Sequence, residues 1–251
     1  MRRDAGSAGE TPEAPLRGCL SRDRVNLRAI AETLAQATSG AVLMVSSTGE
    51  ILARSPSGDL LRAEWQEGRV LPPEAVEGLS AVAEVEVSAR VDFLRSLVLE
   101  ESWPPLALIA PAHTGRERMG TLLILRQGGR FEEKDRLLAE YAAVILALAR
   151  AGREDEARSR EAVKTALGSL SFSEREAVAQ VLSELPGEEG IVVASRVADR
   201  AGITRSVIVN ALRKLESAQL IEARSLGMKG TYIRILNPQL TEELGHLRLR
   251  R

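Results

Sequence analysis

Three features of the chain predict an α+β fold built from two modules. Residues 41–53 and 106–125 each carry a hairpin pattern, two apolar runs around a polar turn, and helical patterns bracket both. A helical stretch then runs from Phe131 to about Leu170. Beyond it, two short helical patterns flank Gly202 and are followed by an alternating hairpin over 221–235. Together these predict an antiparallel sheet with flanking helices, a long connecting helix and a winged helix-turn-helix.

The elements follow in order. Residues 1–21 are small, polar and proline-containing, which predicts a disordered N-terminal tail. The segment "VNLRAIAETLAQATSG" places Leu27, Ile30, Ala31 and Leu34 at helical spacing, with Gly40 as the stop. "AVLMVSSTGEILARS" reads as a hairpin with strands at 41–45 and 51–53. Residues 59–90 read as helical, broken at Pro72 and Pro73. A second hairpin pairs 106–110 with 121–125, and the polar residues 113–120 form its turn. The helix from Phe131 begins with "LLAEYAAVILALA", apolar almost all round and expected to be buried. It continues with "GREDEARSREAVK", a solvated stretch with Gly152 as a soft point, since glycine costs roughly 1 kcal/mol in a helix. The order helix, hairpin, helix, hairpin, long helix is that of a GAF- or PAS-type domain. The expected boundaries are 22–150 for this GAF-like domain, 151–170 for a helical linker, 171–240 for the winged helix-turn-helix and 241–251 for a basic C-terminal tail.

In the second module, "SFSEREAVAQVLSEL" offers two overlapping capping boxes, Ser171 with Glu174 and Ser173 with Glu176. "PGEEG" follows as a break. "VVASRVADRAGITRSVIVNALRKLESAQL" reads as two helices with Gly202 at the turn and Thr204 as the cap of the second. That second helix buries Ile208, Ala211, Leu212 and Leu215. At about 100° per residue, Ser206, Asn210 and Arg213 fall roughly opposite, Arg205 lies at the edge of that face, and Lys214 adds a further positive charge. "IEARSLGMKGTYIRIL" alternates on both arms and turns at 226–230, where Lys229 sits between glycines.

A dry back with a small-polar and basic front suits a DNA groove. In a helix-turn-helix the second helix enters the major groove with its N-terminal residues near base edges. Serine and asparagine bond bases or phosphates, arginine prefers guanine, and a basic wing contacts the backbone. Ala194 and Ser195 open the preceding helix, where amide N–H groups face a phosphate. Charge agrees. Residues 191–235 hold eight Lys/Arg against three Asp/Glu, while the rest of the chain holds 26 against 32. A basic module on an acidic body points to a polyanionic partner. The competing reading is an interaction domain that uses the same fold without DNA.

Other chemistries find little support. The chain has two histidines, His113 and His246, both in expected surface segments, and one cysteine, Cys19, in the expected tail. No metal-ligand spacing and no P-loop is visible, so no enzyme activity and no metal are expected. A single cysteine permits no intramolecular disulfide and suits a reducing compartment. The longest apolar run near the middle, 141–149, is far shorter than the ~20 residues a bilayer requires, and the N-terminus lacks the apolar core of a secretory signal. A cytoplasmic protein without membrane contact is expected.

The stretch "VASRVADRAGITRSVIVNALRKLESAQLIEARSLGMKGTYIRIL" resembles the C-terminal domain of the CodY family, nutrient-sensing global transcription regulators of low-GC Gram-positive bacteria. The resemblance runs almost without a gap from about Arg158 to Asn237. A weaker likeness covers "VNLRAIAETL", "GRERMGTLLIL" and "LLAEYAAVI". It implies a GAF effector domain joined by a long helix to a winged helix, and a dimer, or higher homo-oligomer, that binds A/T-rich inverted repeats. Branched-chain amino acids and GTP are the implied effectors. It also implies DNA contacts at Ala194, Ser195, Arg205, Ser206 and the wing.

For the effector site, the gapless match puts Leu61 at the family's basic, carboxylate-gripping position, with Arg62 next to it. Trp65 replaces a flexible apolar residue, Leu71 and Pro72 fit one apolar wall, and Phe93 and Leu94 the other. The family's helical segment before "VN" is shorter and polar here, and the loop between about Leu79 and Phe93 is shortened. Two functions stay open: an effector-controlled repressor, and a constitutive DNA-binding or dimer-scaffold protein whose GAF domain no longer binds a ligand.

Overall fold

The structure is a computed structural model that describes residues 25–56 and 60–249, with side chains to residue 245. The expected N-terminal tail, Cys19 and the His246 side chain lie outside the described residues. The chain divides into two compact units, Met1–Gly152 and Arg153–Arg251.

The first unit is built on a five-stranded antiparallel sheet in the order β2-β1-β5-β4-β3. Its strands are β1 (Ala41–Ser46), β2 (Ile51–Arg54), β3 (Glu86–Ser88), β4 (Leu106–Thr114) and β5 (Glu117–Arg126). The central strands are apolar at nearly every position because both sheet faces are covered, and alternate residues serve opposite faces. Val42, Met44, Leu108, Ala110, Leu122 and Ile124 join one core with helix α1 (Leu27–Thr38) and the start of α3 (Glu133–Gly168). Leu43, Val45, Ala107, Ile109, Leu123 and Leu125 join a second core with α2 (Pro73–Ala81) and the segments around it.

Helix α1 is capped by Asn26, whose side chain accepts from the Ala29 amide at 3.1 Å. Ser39, not Gly40, takes the left-handed conformation at its end. Gly40 serves close packing instead: a Cβ there would stand 2.8 Å from the Leu125 carbonyl oxygen. The end of α2 is held by Arg118. Its guanidinium donates to the carbonyls of Leu79, Ser80 and Val82 and to Thr121 Oγ1. A cation belongs at the negative end of a helix, although burial pulls the Arg118 pKa below its ordinary value.

Three expectations for this unit are corrected. Residues 59–90 are helical only over Pro73–Ala81. The preceding segment bonds to the edge of the hairpin instead, with the Ile51 amide donating to the Arg69 carbonyl and the Leu71 amide to that of Gly49. Tertiary hydrogen bonds and the positive φ of Gly68 outweigh helical periodicity there. In the second hairpin the strands extend to Thr114 and Glu117, so the turn is only Gly115 and Arg116, and His113 pairs with Arg118 inside the ladder. Polar residues at an exposed strand end read as a loop but still pair through their backbone.

The third correction concerns α3. Leu138, Ala139, Ala142, Leu146 and Ala147 are buried as expected. Leu137, Tyr141, Val144 and Leu148 are not: they are 36, 46, 55 and 62% exposed. α3 is helical through Gly152.

The second unit is a winged helix. Its sheet has the order β6-β8-β7, from β6 (Glu189–Val192), β7 (Ile221–Ser225) and β8 (Thr231–Ile235). Its helices are α4 (Phe172–Ser183), α5 (Ala194–Ala201), α6 (Arg205–Ser217) and α7 (Gln239–Leu249), together with the end of α3. Strand β6 takes up the end of the expected break and Val192, the first residue of the stretch expected as helical, because Ile191 and Val192 pair with Tyr232 and Thr231. Of the two capping boxes, that of Ser171 with Glu174 forms at the start of α4, which places Ser173 inside the helix. Residues 241–249 of the stretch expected as a basic tail lie in α7, and Leu240 and Leu244 pack into the core beside Val163 and Leu167 of α3. Asn237 Nδ2 donates to the Ser159 carbonyl at 3.2 Å, and Arg160 pairs with Glu243 at 3.7 Å.

Candidate nucleic-acid interface and effector pocket

The turn between α5 and α6 is made by Gly202 at φ 65°, a conformation that glycine adopts without steric cost. Behind it, Val197, Ala198, Ile208, Ala211, Leu212 and Leu215 pack on Ala177, Val178 and Val181 of α4. This apolar back fixes which residues of α6 face outward. Arg205, Ser206, Asn210 and Arg213 are exposed, as are Thr204 and, on α5, Ser195. Ala194 is half-buried at the first position of α5. Arg196 is exposed beside Ser195, a basic residue that helical periodicity did not single out and that only the local charge excess pointed to.

The starts of α5 and α6 share a property. The N-cap of α5 is Val193, which has no side-chain acceptor, and that of α6 is Thr204, whose side chain makes no capping bond. The Thr204 hydroxyl instead pairs with the Ser206 hydroxyl at 2.8 Å. By contrast, α1 and α4 are capped by Asn26 and Ser171. A helix start without a side-chain cap presents amide N–H groups and the positive end of the helix dipole to an outside acceptor.

Lys214, expected with Thr204, Arg205, Ser206, Asn210 and Arg213 among the DNA contacts, has partners within the domain. Its ammonium lies 2.8 Å from the Glu174 carboxylate at the start of α4 and 3.5 Å from the Ser169 carbonyl. It therefore clamps α6 to α4. The Glu174 side chain also accepts from the Ser171 amide at 2.8 Å. The bond from Lys214, followed by that from Ser171, holds the Glu174 carboxyl below its ordinary pKa. A carboxyl depressed in the folded state contributes stability above its unfolded pKa and loses it as pH falls through the folded one. Glu174→Gln should therefore lower the urea midpoint at pH 7 and converge with wild type under acid conditions, below the carboxylate range. Parallel curves at all pH values would show that the pair contributes nothing.

The wing tip is a tight turn. The Leu226 amide donates to the Gly230 carbonyl at 2.8 Å, and the Gly230 amide to that of Gly227 at 3.3 Å. Gly227 and Gly230 have φ of 63° and 111°. A Cβ on Gly230 would stand 2.7 Å from the Val192 carbonyl oxygen, so the base of the wing is seated against β6. Lys229 is exposed at this tip, and Met228 beside it is fully exposed.

In the first unit, the six expected effector residues converge on one face of the sheet. The Arg62 Nε donates to the Val98 carbonyl at 3.1 Å and the Trp65 Nε1 to the Ser96 carbonyl at 3.0 Å. Leu71 and Leu94 are buried in the core that Trp65 and Phe93 pack against. Pro72 is the N-cap of α2, next to Leu71. Leu61 and Leu97 are buried in the same core, and the Phe93 ring lies so close to Gly78 that a Cβ would meet it at 2.2 Å. An open cleft of about 500 Å³ exists elsewhere, lined by residues including Glu32, Gln36, Gly40, Arg126 and Gln127, and none of the six borders it. Among the described residues no cluster of metal-binding side chains occurs, and no helix is long and apolar enough to cross a membrane.

Comparison with known proteins covers both units. The profile of the CodY GAF-like domain matches residues 16–169, and that of the CodY helix-turn-helix domain matches residues 188–248. The Global transcriptional regulator CodY of Halalkalibacterium halodurans is 42% identical over 234 residues, 88% of this chain and 90% of that protein. The regulator of the same name from Bacillus velezensis is 41% identical over 236 residues, 89% and 91% of the two chains. Among solved structures, the cofactor binding GAF domain of the nutrient sensor CodY from Clostridium difficile aligns with 54% of this chain and 90% of its own. That alignment has 20% identity and a TM-score of 0.41, a distance at which it carries no weight.

Proposed function

This chain belongs to the CodY family of transcriptional regulators, and on that premise we propose that it is an effector-responsive repressor acting as a homodimer on an A/T-rich inverted repeat. The observation that carries the DNA part is the pair of uncapped helix starts beside an exposed Ser195, Arg205, Ser206 and Asn210. Amides at the start of α5 take a phosphate. Arg205, Ser206, Asn210 and Arg213 take base edges and nearby backbone, and Lys229 takes backbone charge from the wing. Lys214, engaged with Glu174, is left out of this set.

The effector is a branched-chain amino acid, with GTP as a second. A free amino acid brings a carboxylate into a largely apolar core, and an unpaired buried charge is costly. Arg62 is the cation at hand, and a guanidinium grips a carboxylate through two parallel N–H bonds. Leu94, Leu97 and Val98 are buried in this core and Phe93 packs against it, so a ligand entering it must first displace the segment around Phe93–Val98, and the population of that open state lowers the apparent affinity. The response then passes to DNA through α3, whose residues belong to both units.

The close packing around Phe93, Leu94 and Leu97 also favours a second reading, a constitutive DNA-binding protein whose sensor domain takes no ligand. DNA affinity measured with and without leucine, isoleucine, valine or GTP separates the two. Wild type should tighten on DNA with at least one amino acid, and Arg62→Ala should not. An identical response in Arg62→Ala places the carboxylate elsewhere. No response to any of them leaves the constitutive reading.

A further inference from the structure

We infer that Met228 is an apolar wedge that the wing places in the DNA minor groove, where it selects a deformable base step. The inference rests on the DNA-binding reading above and adds a residue and a mode of selection to it.

Met228 is fully exposed, while Ile233 on the same wing is fully buried. An unbranched thioether held out in water has no stabilising role within the domain, whereas burying its apolar surface is favourable. It stands on a stiff support. Three backbone hydrogen bonds close the turn, from the amides of Leu226, Lys229 and Gly230. The left-handed Gly227 and the contact of Gly230 with the Val192 carbonyl fix the wing's base. The next residue is Lys229, also exposed, so charge attraction to a phosphate and an apolar probe share one tip. Leu226, 42% exposed, broadens the apolar surface.

An apolar side chain beside a cation on a rigid tip matches how minor-groove proteins insert wedges between base steps. The minor groove is about 6 Å wide, which a methionine enters more readily than a β-branched or aromatic side chain. Partial unstacking is cheapest at pyrimidine–purine steps such as TA and CA/TG. Met228 would therefore impose a preference for such a step at a fixed distance from the bases read by α6. The preference comes from deformability, not from hydrogen bonds.

The test selects duplexes from a random DNA library with the full-length wild type, Met228→Ala, Met228→Leu and Lys229→Ala. Wild type and Met228→Leu should enrich a TA or CA/TG step at one position flanking each half-site. Met228→Ala should lose that enrichment while keeping the half-site bases, and should bind the wild-type duplex roughly tenfold more weakly, the scale of one base-step preference. Lys229→Ala should keep the step but bind all duplexes more weakly, with a salt slope smaller by about one unit. In the selected duplex, 2-aminopurine placed at the step should brighten on binding wild type or Met228→Leu and stay dark with Met228→Ala. An unchanged step preference in Met228→Ala, or a dark 2-aminopurine under bound wild type, overturns the wedge and leaves DNA binding standing. A wild type that enriches no duplex overturns both.

Discussion

The double variant Val144→Glu/Leu148→Glu should be a monomer, and its affinity for an inverted repeat should fall by about 100-fold or more. Leu137, Tyr141, Val144 and Leu148 are spaced by four, three and four residues along α3 and are all exposed. That is a coiled-coil-like spacing, and it lies beside the stripe of Leu138, Ala142 and Leu146 that already packs on the sheet. A helix with two apolar stripes has one more face than its own domain uses, and a contiguous exposed apolar patch marks an interaction site. A second copy of the same stripe is a self-complementary partner about a two-fold axis. The functional need is independent: one recognition helix reads few base pairs, and dimers gain specificity by binding two half-sites a helical turn apart. Losing the linkage between two DNA-binding modules forfeits an avidity of roughly 10²–10⁴. Light scattering and titration of a repeat-containing duplex measure both effects. Buried Leu146 is untouched, so the melting curve of the sheet domain should hardly move. A dimer that survives both charges would place the interface on another surface.

The second large effect belongs to the recognition helix. Arg205→Ala or Ser206→Ala should cost about 1–3 kcal/mol of discrimination between a selected repeat and random DNA, the scale of one good base contact. The structure exposes both side chains and gives Ser206 a hydroxyl partner in Thr204, which orients it before any DNA arrives. Lys214→Ala, only one turn away from Asn210, should behave differently. It should lower thermal stability through the lost bond to Glu174 and leave the ratio of specific to random binding nearly unchanged. Anisotropy titrations at one fixed salt concentration decide this, because salt alone changes such affinities by orders of magnitude. Equal losses on both DNAs would demote Arg205 and Ser206 to backbone contacts.

Those parts of the protein that depend on local periodicity and local chemistry are legible in the amino-acid order alone. Strand alternation, the Ser171 capping box, the Gly202 turn and the back face of α6 are all set by residues within a few positions of one another. The face presented by Ser206 and Asn210 follows from them, since burying Ile208, Ala211 and Leu215 leaves no other orientation. Tertiary structure decided everything that hangs on a distant partner. Whether Leu60–Pro72 coils or pairs depended on free backbone groups at Gly49 and Ile51. Whether Lys214 stands free or is paired within the domain depended on Glu174, forty positions earlier. Leu137, Tyr141, Val144 and Leu148 belong to the same largely apolar run as their buried neighbours, and only the packing of α3 showed which of them stay exposed. The six residues expected at an effector site, scattered over 62–94, come together only once the sheet forms, and only packing revealed that Leu61 and Leu97 are buried in the same core and that Phe93 packs against it.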